Sequence, residues 1–393
     1  MIIVEIFLSV MIGVLLIPVL VLFKQVLFAV LFKVKPKQLD AKRPSIAVIM
    51  PAHNESLLIQ STVASVLPQL TKHDRLVVVA DNCTDDTAKL GRIAGAEVVE
   101  RFSQDERGKG YALDFGVRHC TDNPPEVIII IDADCQVGSD ALSKLAKACV
   151  QYDRPVQALY LMKSPVGASL KTKIAEFAWL VKNLVRPSGY AVLGLPCQLM
   201  GTGMAFTWQS LSKANLASGH IVEDLKLGID YCIAGKPPLF LPEAMVTSEF
   251  PVSNEGLSGQ RTRWEHGHLG VILSEAPSLF VQAVSKANLS LLSLAFDLIV
   301  PPLALLLLLI VSSVGIAGLF YVISELITPL LIAGAGMLLL GLAVMLAWAV
   351  FGRKVISLAS LCYAPIYALS KIPVYLKFLI KRQVSWVRSK RDE

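Results

Sequence analysis

The chain has 393 residues, 54% hydrophobic and only 17% charged, and its 37 basic and 31 acidic side chains leave a net charge of +6. That balance, with no basic stripe interleaved with aromatics, excludes a nucleic-acid-binding protein. The seven cysteines, at 83, 120, 135, 149, 197, 232 and 362, form no CxxC pair, which argues against a zinc site or a disulfide framework and for a reducing compartment.

The apolar residues crowd into the first thirty and last hundred positions, while residues 43–270 read as a globular domain. Residues 2–23 are apolar except for Glu5 and Ser9, long enough to span a bilayer, and no small-residue cleavage site follows. The segment 1–32 is therefore expected to be an uncleaved anchor. Lys24, Lys33, Lys35, Lys37, Lys42 and Arg43 flank it, which puts the next domain in the cytosol, under a cell (inner) membrane.

Short apolar runs then alternate with helical patterns. Strands are predicted at 46–50, 75–80, 97–100 and 126–131, and helices at 56–67, 84–94 and 139–152. This alternation predicts an α/β domain over 43–275 with a mostly parallel sheet. Residues 169–185 have Ile174, Phe177, Ala178 and Val181 at helical spacing among Lys171, Lys173 and Lys182, which suits either an interfacial helix or a packed surface helix.

Within 286–380, spans are predicted near 290–312, kinked at Pro301 and Pro302, and near 327–350. The stretch 355–378 is apolar but carries Lys371, Pro373 and Lys377, and reads as an interfacial or re-entrant helix; a fourth span is the alternative. Residues 381–393 form a basic cytosolic tail. An ion transporter would need ionisable groups inside its spans, and only Asp297 comes near one.

Ligands of parallel sheets bind beyond the carboxyl ends of the strands. There the sequence carries Pro51-Ala52-His53-Asn54-Glu55, then Asp81-Asn82-Cys83-Thr84-Asp85-Asp86, then Asp132-Ala133-Asp134. Helix capping accounts for Thr84, Asp85 and Ser139. It does not account for Asp132 and Asp134 together, which would repel each other without a cation or donor between them. Hard oxygen ligands of this kind suit Mg²⁺ or Mn²⁺.

The set PAHNE, DNCTDDT, GKGYAL (108–113), DAD, GTGMAF (201–206), VED (222–224) and QRTRW (260–264) resembles, in order and spacing, the membrane-bound family 2 glycosyltransferases, which include cellulose, chitin and hyaluronan synthases and bacterial exopolysaccharide enzymes. The resemblance implies a GT-A, Rossmann-like nucleotide-sugar-binding domain plus transmembrane helices. It implies donor contacts from Ala52, Glu55, Asp81, Lys109, Asp132, Gln260 and Arg263, with Asp81 accepting a hydrogen bond from uracil. It makes Asp132 and Asp134 the metal residues and Asp224 the catalytic base. Trp264 would stack beneath the acceptor, with Glu223 a rival carboxylate or a support for the acceptor side. The adjacent His266 and His268 are read as structural, because an i, i+2 pair suits no common zinc motif.

The expected activity is inverting transfer of a hexose or N-acetylhexosamine from a nucleotide-sugar, a UDP-sugar by resemblance, to a membrane-associated lipid or glycan acceptor. A processive polysaccharide synthase is the second reading; with three or four spans per chain it would need a homo-oligomer to form a pore. An inactive membrane scaffold is the third, and the intact Asp81, Asp132, Asp134 and Asp224 set argues against it.

Overall fold

Strand β1 (Ile46–Ala52) takes its place from five consecutive apolar residues that are at most 1% exposed. The computed structural model, which describes residues 1–251, 254–380 and 382, divides into a sheet unit and a helical unit. The predicted basic tail lies outside the described residues apart from Arg382.

The sheet unit comprises Lys35–Val166 and Leu195–Val271. Its other strands are β2 (Arg75–Asp81), β3 (Glu97–Arg101), β4 (Val127–Ile130), β5 (Gln136–Val137), β6 (Val156–Lys163), β7 (Met204–Thr207) and β8 (Leu239–Glu249). They are ordered β3-β2-β1-β4-β7-β6-β8-β5. The predicted strands and helices of the first half are present, with the helices at Ile59–Val66, Thr87–Ile93 and Ala141–Tyr152. Parallel strands covered on both faces read as unbroken apolar runs, which is why β1, β2 and β4 are legible.

The sheet is mixed but keeps the expected parallel majority: four of its seven pairings among the described residues are parallel, β6 with β8 included. β3, β2, β1 and β4 are parallel, but β7 pairs antiparallel with both β4 and β6, and β5 pairs antiparallel with β8. The reversal matters for the site. Antiparallel pairing sets Met204, the first residue of β7, opposite Ile130, the last of β4, so residues 200–203 sit beside Asp132. Side chains alternate across a strand. Ala47, Ile49, Val77, Val79, Ile128 and Ile130 accordingly share a core with Leu113 and Val117 of the helix Lys109–His119. That helix lies so close to the sheet at Gly116 that a Cβ there would be 2.8 Å from Ile49 and Val79.

The helical unit comprises Met1–Val34, Gly167–Gly194 and Ile272–Arg382. Three of its helices, Ile2–Leu31, Leu303–Ser324 and Thr328–Gly352, are long and apolar enough to cross a membrane among the described residues. At 1.5 Å per residue, the 22 residues of the shortest match a hydrocarbon core of about 30 Å. The span expected at 290–312 is corrected. Pro301 and Pro302 do not kink one helix but separate two, Leu289–Leu298 and Leu303–Ser324, because consecutive prolines remove amide donors and clash with the preceding turn. The stretch 355–378 folds as three short helices, Leu358–Leu361, Ala364–Leu369 and Ile372–Ile380.

The predicted helix of 169–185 is Leu170–Leu180, followed by a π turn at Val181–Val185 and the helix Arg186–Val192. Ile174, Phe177, Leu180, Val181 and Val185 pack into one core with Val19, Leu22 and Val26 of the first helix. The segment thus lies within the interval predicted for the α/β domain but belongs to the helical unit.

Asp297 is one member of a buried cluster there. Arg186 donates to the Asp297 carboxylate (2.8 Å) and carbonyl (2.7 Å), Gln25 donates to the same carboxylate oxygen (2.5 Å), and Arg186 Nε donates to Gln25 Oε1 (3.1 Å). Arg186 and Asp297 side chains are 7% and 9% exposed. Removing one partner strands a buried charge. Asp297→Ala is expected to cost about 3–5 kcal/mol of stability, read as a lower melting temperature in detergent. The double change Arg186→Met with Asp297→Leu should recover much of that loss. Wild-type melting of Asp297→Ala would show that the pair carries no stability.

Candidate active site

The ends of β1 and β2 are tied together by side chains. Asn54 and Asn82 both adopt left-handed backbone, φ 55° and 51°, a conformation that Asn tolerates better than most residues. Asn54 Oδ1 accepts the Thr84 amide (2.7 Å) and its Nδ2 donates to Thr84 Oγ1 (3.0 Å). Ala52 is buried and its carbonyl accepts the Cys83 thiol (3.4 Å). The Glu55 amide donates to Thr87 Oγ1 (2.7 Å), and the Glu55 carbonyl accepts the first amides of the helix Ile59–Val66. Asp85 takes the expected capping role by accepting from the Thr87 amide (3.0 Å), whereas Thr84 pairs with Asn54.

Asp81, at the end of β2, is 8% exposed and in an ion pair. Its Oδ1 accepts from Arg101 (2.8 Å), the last residue of the neighbouring β3. Arg101 also binds Glu106 (2.8 Å) and stacks over Tyr111 (5.5 Å). Sequence reasoning missed Arg101. Its signal was modest: an arginine ending a strand beside the predicted ligand edge.

The centre of the site is at the end of β4. The Asp132 amide donates to Thr202 Oγ1 (3.0 Å), and Asp132 Oδ1 meets Lys109 Nζ (2.5 Å). Lys109 opens its helix, donates to the Gly201 carbonyl (2.7 Å) and lies 3.9 Å from Glu223. The next residue must be glycine: a Cβ at Gly110 would stand 2.5 Å from the Leu216 carbonyl. Glu223 and Asp224 form the first turn of the helix Glu223–Ile233. The Asp224 carboxylate lies 3.3 Å from where a Cβ on Gly201 would stand, and Gly201 has φ +88°. Lys109, Asp132, Gly201, Glu223 and Asp224 are thus drawn together from four parts of the chain. Asp134, two residues beyond Asp132, accepts from the Cys135 thiol (3.4 Å).

The electrostatics follow from three acids sharing Lys109. Burial pushes the Lys109 ammonium down, but Asp132, Glu223 and Asp224 outweigh it and hold its pKa above the ordinary value. Burial, opposed by Lys109 and reinforced by Asp134, raises the Asp132 carboxyl. Burial, opposed by Lys109 and reinforced by Asp224, pushes Glu223 up to about 7.

The helix Asn254–Ser285 carries Gln260, Arg263 and Trp264. It packs beside the acids: a Cβ at Gly267 would be 2.5 Å from Val222, the residue before Glu223. Gln260 is 5% exposed, and Arg263 and Trp264 are half-buried. His266 and His268 are buried at 0% and 5% exposure, in keeping with a structural role.

The acids fit a divalent cation. No group of three or more His, Cys, Asp or Glu side chains arranged to hold an ion occurs among the described residues. A nucleotide-bound Mg²⁺ or Mn²⁺ does not need one, since one or two carboxylates suffice when phosphates and water complete the shell. Burial is the main cause of the raised Asp132 carboxyl, and the repulsion that Asp134 adds is what such a cation would offset.

Comparisons with known proteins bear on the family and the fold. Residues 127–352 match the family Glycosyl transferase family group 2, and residues 47–172 match Glycosyl transferase family 2. A probable glycosyltransferase, YdaM, of Bacillus subtilis is 23% identical over 252 residues, covering 60% of this chain and 58% of that protein. The 4,4'-diaponeurosporenoate glycosyltransferase of Staphylococcus aureus is 33% identical over 105 residues, 26% of this chain and 27% of that one. These matches therefore span less than two thirds of either relative. The mannosyltransferase PcManGT from Pyrobaculum calidifontis, solved in complex with GDP-Man and Mn²⁺, is similar in fold at a TM-score of 0.55 and 16% identity, covering 96% of this chain and 99% of that one.

Proposed function

The chain belongs to glycosyl transferase family 2, nucleotide-sugar transferases of GT-A fold, and from that premise we propose that it transfers one sugar, with inversion, from a UDP-sugar to a membrane-associated lipid or glycan acceptor. The observation that carries this reading is the gathering of Lys109, Asp132, Glu223 and Asp224 at the carboxyl end of β4.

Asp81, with Ala52 and Glu55, holds the nucleoside, and Arg101 fixes the Asp81 carboxylate for that contact. Asp132 and Asp134 would hold Mg²⁺ or Mn²⁺, which would supply positive charge to the departing diphosphate. Lys109 and Arg263 add to that charge, and the Gln260 carboxamide offers a hydrogen-bond donor. Asp224 takes the proton of the acceptor hydroxyl as its oxygen attacks the anomeric carbon and the nucleoside diphosphate leaves. With no protein nucleophile in the sequence of events, one displacement inverts the centre. Glu223 supports the acceptor side. The three long apolar helices anchor the enzyme in a membrane, with the sheet unit in the cytosol.

Trp264 offers an aromatic face to the acceptor sugar. Trp264→Ala is expected to raise the acceptor KM about tenfold while donor hydrolysis changes little. A larger effect on donor hydrolysis would move Trp264 to the donor side.

The reading is tested with purified protein, a panel of UDP- and GDP-sugars, Mg²⁺ or Mn²⁺ and native lipid extract, following released nucleoside diphosphate. Release from a UDP-sugar supports it. Release from GDP-sugars alone would reassign the base, and none from any donor would refute it. Products of one added sugar fit single transfer; a polymer ladder would favour the processive synthase.

A further inference from the structure

We propose that Gln157 is a positioning residue for the transfer reaction, acting through residues 200–203 on Asp132, Lys109 and Asp224. The inference rests on the roles proposed above for those three side chains.

Gln157 is a polar residue in the middle of the sheet, 0% exposed, in a strand that otherwise reads as apolar: Val156-Gln157-Ala158-Leu159-Tyr160. Its strand β6 pairs with β7 only at Val156↔Ala205 and Gln157↔Met204. Upstream of Met204 the chain leaves the ladder, and its backbone groups need other partners. The Gln157 carboxamide supplies them. Its Oε1 accepts the Met200 amide (2.8 Å), and its Nε2 donates to the Thr202 carbonyl (2.9 Å) and to the Ala158 carbonyl (2.9 Å). Two acceptors and one donor are matched by a primary amide in a single orientation. A carboxylate offers no donor, and an aliphatic side chain offers nothing.

The loop so held touches the reacting groups at three points. Thr202 Oγ1 accepts the Asp132 amide (3.0 Å), which sets where the β4 chain turns into Asp132. The Gly201 carbonyl accepts Lys109 Nζ (2.7 Å) beside the Asp132 carboxylate. The Gly201 Cα faces the Asp224 carboxylate closely, since a Cβ there would stand 3.3 Å from Asp224 Oδ2. Two further bonds, Ala158 amide to Gly203 carbonyl (2.8 Å) and Gly203 amide to Ile130 carbonyl (2.9 Å), anchor the far end of the loop. The near end, Met200 to Thr202, hangs on Gln157.

The nucleoside end of the site is built from β1 and β2, whose loops bind one another and Arg101. Loss of the Gln157 bonds therefore acts on the rate of transfer more than on donor capture. A displacement of about 1 Å at a reacting group can cost about 100-fold in rate.

The test is Gln157→Met, which keeps length and volume but makes none of the three bonds. In folded, purified protein, kcat is expected to fall about 100-fold while the donor KM moves less than about threefold. A packing role would leave kcat at the wild-type value, and that result would overturn the proposal. If Gln157→Met does not fold, Thr202→Val decides instead: it removes the acceptor of the Asp132 amide, along with the hydroxyl's bond to the Cys135 thiol, and is expected to lower kcat about tenfold, and wild-type kcat there would overturn the proposal. Asp224→Asn is measured alongside. Wild-type kcat in Gln157→Met with an inactive Asp224→Asn refutes this inference alone, whereas an active Asp224→Asn refutes the reading on which it rests.

Discussion

Asp224→Asn is expected to lower the rate of transfer about a thousandfold, roughly 4 kcal/mol of barrier, while nucleoside diphosphate binding persists. The amide keeps the size of the carboxylate and its place on the first turn of the helix Glu223–Ile233, against Gly201. It cannot take a proton from the acceptor hydroxyl. Glu223, the rival carboxylate, lies 3.9 Å from Lys109. Kinetics of nucleoside diphosphate release and calorimetric UDP binding measure the two quantities separately. An equal loss of both would make Asp224 a structural residue.

Asp134→Ala is expected to remove metal-dependent donor binding together with activity. The argument is one of charge. The Asp132 carboxylate already meets Lys109, so in the proposed reading Asp134 would be the acid that completes a two-carboxylate site. With one carboxylate left, the ion loses half its protein donors and the diphosphate loses its counter-charge. The first readout is a Mn²⁺ titration by electron paramagnetic resonance with UDP present, in which tight binding should disappear. The second is transfer activity, expected to fall to the level of enzyme treated with chelator. Full activity in this variant would remove Asp134 from the metal site.

The parts of the fold legible in the sequence were those with one physical cause. β1, β2 and β4 are runs of buried apolar residues, and the acids after them mark the ligand edge. β8 was not legible, because Pro242 and Glu243 interrupt its apolar pattern and the pairing with β6 shifts register between Ala158 and Leu159. The antiparallel entry of β7 leaves no local trace either, since strand direction is set by the connection and not by the strand. The same holds for the partnerships that tune the site. Arg101 with Asp81, Gln157 with Thr202, and Arg186 with Asp297 join residues 20, 45 and 111 positions apart. Each looked like a lone polar or charged residue until the chain was folded. The segment 170–192 shows helical spacing, but which core receives it is decided by residues far away.

The central claim is a single displacement at the anomeric carbon. Proton NMR of the reaction with the active donor and Mn²⁺ reads it directly through the coupling of the new anomeric proton. An α-linked nucleotide-sugar should give a β-linked product in the first spectra. A first product with the donor's own α configuration would contradict the account.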